Sequence, residues 1–239
     1  MPIGMRALLP VLTACLVVAL AGEGAAQTQV DLQLVLAVDA SGSVNQRRFE
    51  LQKQGYAEAF RSQQVLNAIR SGPSQSIAVT MVQWTGYRMQ IHAVPWAVIR
   101  DEASAGAFAD AIAAMPRQLF GGGTSISGAI DHGVALLSAS PFKALRRVID
   151  VSGDGPNITG RAVTQARDEA VQAGIVINGL PIVSIEPYLD RYYFDNVIGG
   201  PGSFMIGADS YETFAGAIQR KLVLEIAMDQ HRIYAALPD

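Results

Sequence analysis

Residues 31–38 form an almost unbroken apolar run (Asp-Leu-Gln-Leu-Val-Leu-Ala-Val), the pattern of a strand covered on both faces. The run ends in a small polar loop, Asp39-Ala40-Ser41-Gly42-Ser43. Residues 45–69 read as a helix: Phe49, Tyr56, Ala59 and Phe60 fall on one face, and Ser71-Gly72-Pro73-Ser74 stops it. Residues 77–84 and 88–94, separated by Thr85-Gly86-Tyr87, predict a strand–turn–strand hairpin. An Ala-rich helix follows over 101–115, closed by Pro116. Gly121-Gly122-Gly123 then lead into a helix beginning at Thr124, with Ile126, Ile130, Val134 and Leu137 as its inner face. Residues 145–151 form a further strand running into Ser152-Gly153-Asp154-Gly155. The remainder reads as a helix over 161–173, a strand within 174–185, a short helix near 188–197, a final strand around Phe204 and a last helix over 211–227.

Strands and helices that alternate this regularly predict an α/β fold: a doubly wound, mostly parallel sheet with helices on both faces and one antiparallel edge hairpin. No linker, low-complexity tract or repeat interrupts residues 31–227, so residues 27–239 are expected to form one domain with a short C-terminal tail. The first 26 residues have a different character. One positive charge at Arg6 precedes an apolar run from Ala7 to Leu20, and Gly24 and Ala26 suit a signal-peptidase site. Residues 1–26 are therefore read as a cleaved secretory signal, and the protein as exported, periplasmic or secreted from a bacterium. A rival reading takes Leu12-Thr13-Ala14-Cys15 as a lipobox that anchors Cys15 to a membrane. The apolar run continues past Cys15, which favours an ordinary signal core and leaves a mature chain with no cysteine and no membrane span.

Composition narrows the function classes. Among 239 residues, 18 Lys and Arg stand against 21 Asp and Glu, a net charge of -3 that gives no electrostatic case for nucleic-acid binding. A hydrophobic content of 50% excludes a largely disordered chain. A single Cys excludes a disulfide framework and a cysteine-cluster metal site, and the 3 His residues are scattered.

Candidate chemistry lies where strands end. Asp39, Ser41 and Ser43 follow the first strand, Thr124 follows the triple glycine, and Asp154 follows a later strand. In a doubly wound sheet these places meet at the carboxyl edge. Two carboxylates and three hydroxyls are hard oxygen donors that suit Mg²⁺, or another such cation as Mn²⁺ or Ca²⁺, rather than a sulfur- or nitrogen-seeking metal. The bland alternative is that Ser43 and Thr124 cap helices while the two Asp residues complement helix dipoles.

With these residues in order, the sequence from about Asp31 to Ala227 resembles the von Willebrand factor type A domain, also known as the integrin inserted domain. The motif Asp-x-Ser-x-Ser, then Thr, then Asp is that family's metal-ion-dependent adhesion site, matched here by Asp39, Ser41, Ser43, Thr124 and Asp154. The resemblance implies that the hydroxyls touch the metal directly, that the carboxylates act through water, and that an acidic side chain of a partner protein completes the coordination. Ser152-Gly153 before Asp154 departs from the Thr or apolar residue usual there. The stretch 188–204 also looks like an uncharacterised bacterial family of exported proteins of this type.

Two functions are compatible with these residues: a module that binds an Asp or Glu of a partner protein through the metal, and a metal-dependent hydrolase of phosphate or carboxyl esters. No His or Lys lies in the three site loops to serve as base or nucleophile, so binding rather than catalysis is expected. Four other features carry simpler expectations. Asp150, an acid within an apolar strand, reads as a solvated strand end or a satisfied buried Asp. Tyr188, Tyr192, Tyr193 and Phe194 read as the packing of a short helix in preference to an exposed aromatic anchor for a partner, Asp131–His132 as a surface pair in preference to a catalytic one, and Arg47-Arg48 and Arg146-Arg147 as solvated edges.

Overall fold

The computed structural model describes Met1 and residues 27–227; the expected signal segment (residues 2–26) and tail (residues 228–239) lie outside the described residues. In chain order the elements are β1 (Thr28–Gln29), β2 (Leu32–Asp39), α1 (Gln46–Arg61), α2 (Gln63–Arg70), β3 (Ile77–Trp84), β4 (Gln90–Ile99), α3 (Glu102–Ala114), α4 (Ile126–Ser138), β5 (Phe142–Lys143), β6 (Arg146–Gly153), α5 (Val163–Gln172), β7 (Val176–Pro181), α6 (Leu189–Tyr192) continued by a π-helical turn (Tyr193–Val197), and α7 (Phe214–Ala227).

The central sheet has the order β4-β3-β2-β6-β7, parallel except for the antiparallel edge strand β4. Strand β2 lies in the middle because every one of its residues is buried. Its side chains alternate between two cores, as strand geometry requires. Leu32, Leu34, Leu36 and Val38 pack with Phe49, Tyr56 and Phe60 of α1, Phe108 of α3 and Leu222 of α7. Val35 and Ala37 face the other way, toward Ile126 and Ile130 of α4 and Ala166 of α5. Helices therefore cover both faces, as the alternation of elements predicted. The helix after β2 packs on one face and the helix after β6 on the other, so a crevice opens between these neighbouring strands at their carboxyl ends.

Four local expectations are corrected. The single helix expected over 45–69 is two, because Ser62 adopts an extended backbone (φ -75°, ψ 140°) and caps both: its N–H donates to Ala59 O and its hydroxyl accepts from Val65 N. No strand forms around Phe204; Met205 and Ala208 make only isolated bridges to Gly179 and Ile182. Asp131 pairs with Arg161 (2.6 Å), not with His132. The aromatic group divides, with Tyr193 fully buried but Tyr188 and Phe194 exposed.

Asp150 is a buried, ion-paired acid, and its partner comes from the far end of the chain. Lys221 of α7, itself wholly buried, sits 2.6 Å from Asp150 Oδ1 and 2.9 Å from Glu225 Oε2. Asn178 Nδ2 donates to Glu225 Oε1 (2.8 Å), and Arg146 Nη2 donates to the Glu225 carbonyl (2.6 Å). Thus α7 is fixed to β6 by an ion pair and to β6 and β7 by hydrogen bonds as well as by apolar packing. Burial pushes Asp150 up to about 7 against the pull of Lys221. Desolvation opposes the charge on Lys221, but Asp150 and Glu225 outweigh it and hold the ammonium protonated.

Candidate metal centre

The parallel register sets Asp39 at the end of β2 opposite Trp84, while Val38 pairs with Ser152 of β6. Asp154, just past β6, therefore comes alongside Asp39, and its N–H donates to Asp39 Oδ2 (3.4 Å). The loop after β2 turns back on its own carboxylate: the Ser41 N–H donates to Asp39 Oδ1 at 2.7 Å. This turn aims the two serine hydroxyls at one another, with Ser41 Oγ 3.1 Å from Ser43 Oγ. Ser43 Oγ in turn donates to Asp154 Oδ1 at 2.5 Å. Thr124 reaches the cluster from the third loop; a Cβ placed on Gly155 would lie 3.8 Å from Thr124 Oγ1. Asp39, Ser41, Ser43 and Asp154 thus come together at the carboxyl edge of the sheet, with Thr124 beside Gly155 next to them.

The capping alternative does not hold. Helix α1 is capped by Asn45, whose side chain accepts from Arg48 N, and α4 by Ser125, whose side chain accepts from Gly128 N. Ser43 and Thr124 each stand outside the helix that follows; the Ser43 hydroxyl bonds Asp154 instead, and the Thr124 hydroxyl lies toward Gly155.

Glycines shape the approach of the third loop. Gly121, Gly122 and Gly123 all adopt left-handed backbone (φ +119°, +97° and +83°), a run that side chains disfavour. Thr85 Oγ1 donates to the carbonyls of Gly121 and Gly123, tying this loop to the turn after β3. Gly86 permits the contact, since a Cβ there would sit 1.8 Å from Gly122 O.

Charge at the site is concentrated and dry. Asp39, Ser41 and Asp154 are no more than 1% exposed and Thr124 is 8% exposed, whereas Ser43 opens to solvent. Desolvation first, and the neighbouring Asp154 carboxylate second, push Asp39 up to about 7. Three residues that no local motif announced surround the pair. Tyr211, in the segment before α7, donates its hydroxyl to Asp154 Oδ2 (2.7 Å). Arg48 donates to Ser43 O (2.7 Å), lies 3.9 Å from Asp154 Oδ2 and stacks over the Tyr211 ring at 5.2 Å, so it is not the solvated edge expected of it. Arg117 Nη2 donates to the carbonyls of Ala40 (3.0 Å) and Ser41 (3.2 Å). Behind them Gln52 Nε2 donates to Asp39 O at 3.0 Å.

The donors fit a hard divalent cation: every converging atom is oxygen, two carboxylates carry the charge, and one hydroxyl faces solvent. Among the described residues, no group of three or more His, Cys, Asp or Glu could hold a metal by itself, so the hydroxyls are needed to complete the set. None of the helices among these residues is long and apolar enough to cross a membrane.

Comparison with known proteins agrees with this fold. Residues 29–230 match the family described as protein of unknown function (DUF1194). No curated protein matches the sequence. Among solved structures, the fold is similar to a von Willebrand factor type A protein from Catenulispora acidiphila (TM-score 0.55, 13% identity, covering 82% of this chain and 43% of that one). It is similar also to proximal thread matrix protein 1 from the mussel byssus with a zinc-occupied MIDAS motif (TM-score 0.58, 14% identity, 84% and 49%). A third likeness is to the SpRpn10 VWA domain (TM-score 0.56, 13% identity, 81% and 96%). The chain spans less than half the length of the first structures it matches. At these identities the likeness shows the fold, which is that of a von Willebrand factor type A domain.

Proposed function

The chain belongs to the family DUF1194, and from that premise and the loop geometry we propose that it is an exported protein-interaction module that engages an acidic side chain of a partner protein through a bound divalent cation, Mg²⁺ by donor chemistry. The observation that carries this reading is the release of Ser43 and Thr124 from capping: Asn45 and Ser125 cap the helices, leaving two hydroxyls available beside two buried carboxylates. Asp39, Ser41, Ser43, Thr124 and Asp154 would hold the cation. When bound, it supplies an electrophilic position that a partner's carboxylate can fill. The protein's own part is to orient: Gln52 and the Ser41 N–H fix Asp39, Tyr211 fixes Asp154, and Arg48 and Arg117 brace the loop carbonyls. The zinc-occupied motif in the mussel protein supports a cation of this class in this fold. Export rests on the signal read in residues 1–26.

A binding role is favoured over a metal-dependent hydrolase by what surrounds the site. Residues 40–48, 85–89, 116–125 and 155–161 contain no His, Lys, Asp, Glu or Cys, so the loops that flank the five donors supply no ordinary general base. The test is a pull-down from cell-envelope extract with the purified chain in Mg²⁺, in EDTA, and as an Asp154→Ala variant. Capture by the unaltered chain in Mg²⁺ only is the expected result. Equal capture in all three arms would dismiss the metal bridge, and metal-dependent turnover of a model phosphoester lost in Asp154→Ala would restore the hydrolase.

A further inference from the structure

The segments around the donors carry Arg47, Arg48, Arg88, Arg117 and Arg161; Arg47 pairs with Glu212 (3.6 Å), Arg48 with Asp154 (3.9 Å) and Arg161 with Asp131 (2.6 Å) and Glu169 (2.7 Å), which leaves Arg88 and Arg117 without an ion pair among the described residues. Further acids at this end of the sheet lie in the segments after β7, at Glu186, Asp209 and Glu212. The arginine-bearing side is also where large apolar side chains face solvent: Phe120 is 71% exposed, Ile158 67%, Tyr87 50% and Met89 40%. These side chains belong to the site's own loops. Met89 Sδ would lie 2.5 Å from a Cβ on Gly122, Ile158 Cδ1 3.8 Å from one on Gly123, and Tyr87 Cδ2 3.1 Å from one on Gly160. Phe120 stacks under Arg117 at 5.0 Å, and Arg117 also bonds the Ala40 and Ser41 carbonyls. Exposed apolar groups gathered beside cations, on loops that close over buried carboxylates, form a surface that is costly to leave in water unless something covers it.

We propose that this rim is a second half of the binding site, and that it selects a partner segment in which the acidic residue is flanked by a large apolar or aromatic side chain. The proposal rests on the metal-bridged reading and adds partner chemistry to it. Charge decides the occupant: an acidic segment is drawn toward Arg88 and Arg117, which pair with no carboxylate among the described residues, so its flanking residue comes down on Phe120 and Ile158. Burial of one such flank against the rim should tighten binding by roughly tenfold to a hundredfold.

The probes are fluorescent Gly-Ser peptides with a central Asp, either bare or with Phe or Leu beside it, and matched peptides with Asn in place of Asp. Anisotropy is read with the full chain in Mg²⁺ and in EDTA. The expected result is a flank advantage of at least tenfold that needs both Asp and Mg²⁺ and falls to about onefold in a Phe120→Ser/Ile158→Ser variant. Melting temperature and Mg²⁺ calorimetry verify that this variant is folded. Leu145→Ser, which alters an exposed apolar residue away from these loops, should change nothing. Asp-dependent binding with no flank advantage overturns the rim and spares the metal bridge. Indifference to Asp and to EDTA, or binding of no peptide by a chain that takes up Mg²⁺, overturns both. Phe120- and Ile158-dependent sedimentation with phosphatidylglycerol vesicles would reassign the rim to a membrane, and self-association lost in the double variant would reassign it to a second copy of the chain; either overturns the proposal.

Discussion

Gly86 shows how little tolerance the site leaves to a single residue. Its absent side chain is what lets the turn after β3 meet the backbone of Gly122, 1.8 Å from where a Cβ would stand. The obstructing atom is a carbonyl oxygen, so relief requires moving the glycine loop and with it Thr124. Gly86→Ala should cost about 1–3 kcal/mol in a urea melt and weaken Mg²⁺ affinity by at least tenfold in calorimetry. Unchanged affinity would mean that the loop moves without dragging Thr124. At this scale the sequence was informative at the strand ends: Asp39, Ser41, Ser43 and Asp154, singled out by their order along the chain, meet in one hydrogen-bonded cluster. It was silent on Tyr211 and Arg117, which act across loops distant in sequence and carry no spacing that marks them, and it took Arg48 for a solvated edge. A weak signal existed in retrospect: Arg47-Arg48 lies within one turn of the first donor loop, and the first turn of a helix lies close to what precedes it.

Among the elements, the buried Lys221 has the clearest consequence. Two carboxylates face its ammonium in a region closed to water, so removing the cation strands them. Lys221→Met should cost about 3–5 kcal/mol in chemical denaturation. Combining it with Asp150→Asn and Glu225→Gln should recover most of that loss, and a triple variant as unstable as the single one would show that packing of the lysine stem, rather than its charge, holds α7. The strand and helix order was legible because burial on both faces writes apolar runs into β2 and helical spacing into α1 and α4. The break at Ser62 was not, since Arg61-Ser62-Gln63 contains neither Gly nor Pro and a capping serine looks like any exposed helical one. The expected strand at Phe204 failed for a related reason: local apolar content was present, but only isolated residues find a partner along β7.

For the whole molecule, the buried acids set the response to pH and metal. Asp39 and Asp150 are both pushed up to about 7 in the fold, while in an unfolded chain each would release its proton near pH 4. Between those values the folded protein holds more protons than the unfolded one, so stability falls as pH rises. Without divalent cations the melting temperature should therefore drop by several degrees from about pH 4 to about pH 7 and level off above. Asp39→Asn should flatten part of this slope. A cation at the site favours ionised Asp39, so a fixed concentration of Mg²⁺ should raise the melting temperature more at pH 8 than at pH 5; where that concentration is a hundredfold above the dissociation constant, the added stability is about 2.7 kcal/mol. A Mg²⁺ effect of equal size at both pH values would detach Asp39 from the metal.

The position of β2 bears on how such a module would behave under load. Its carboxyl end carries Asp39 and the serine loop, and it is flanked by parallel neighbours on both sides. A pull applied between a captured partner and the chain leading into β2 runs along the strand, so the rungs joining it to β3 and β6 are sheared together instead of being peeled one after another. A grip placed at the tip of a central strand thus spreads tension over two ladders at once, which suits a contact that must last while its two ends are drawn apart.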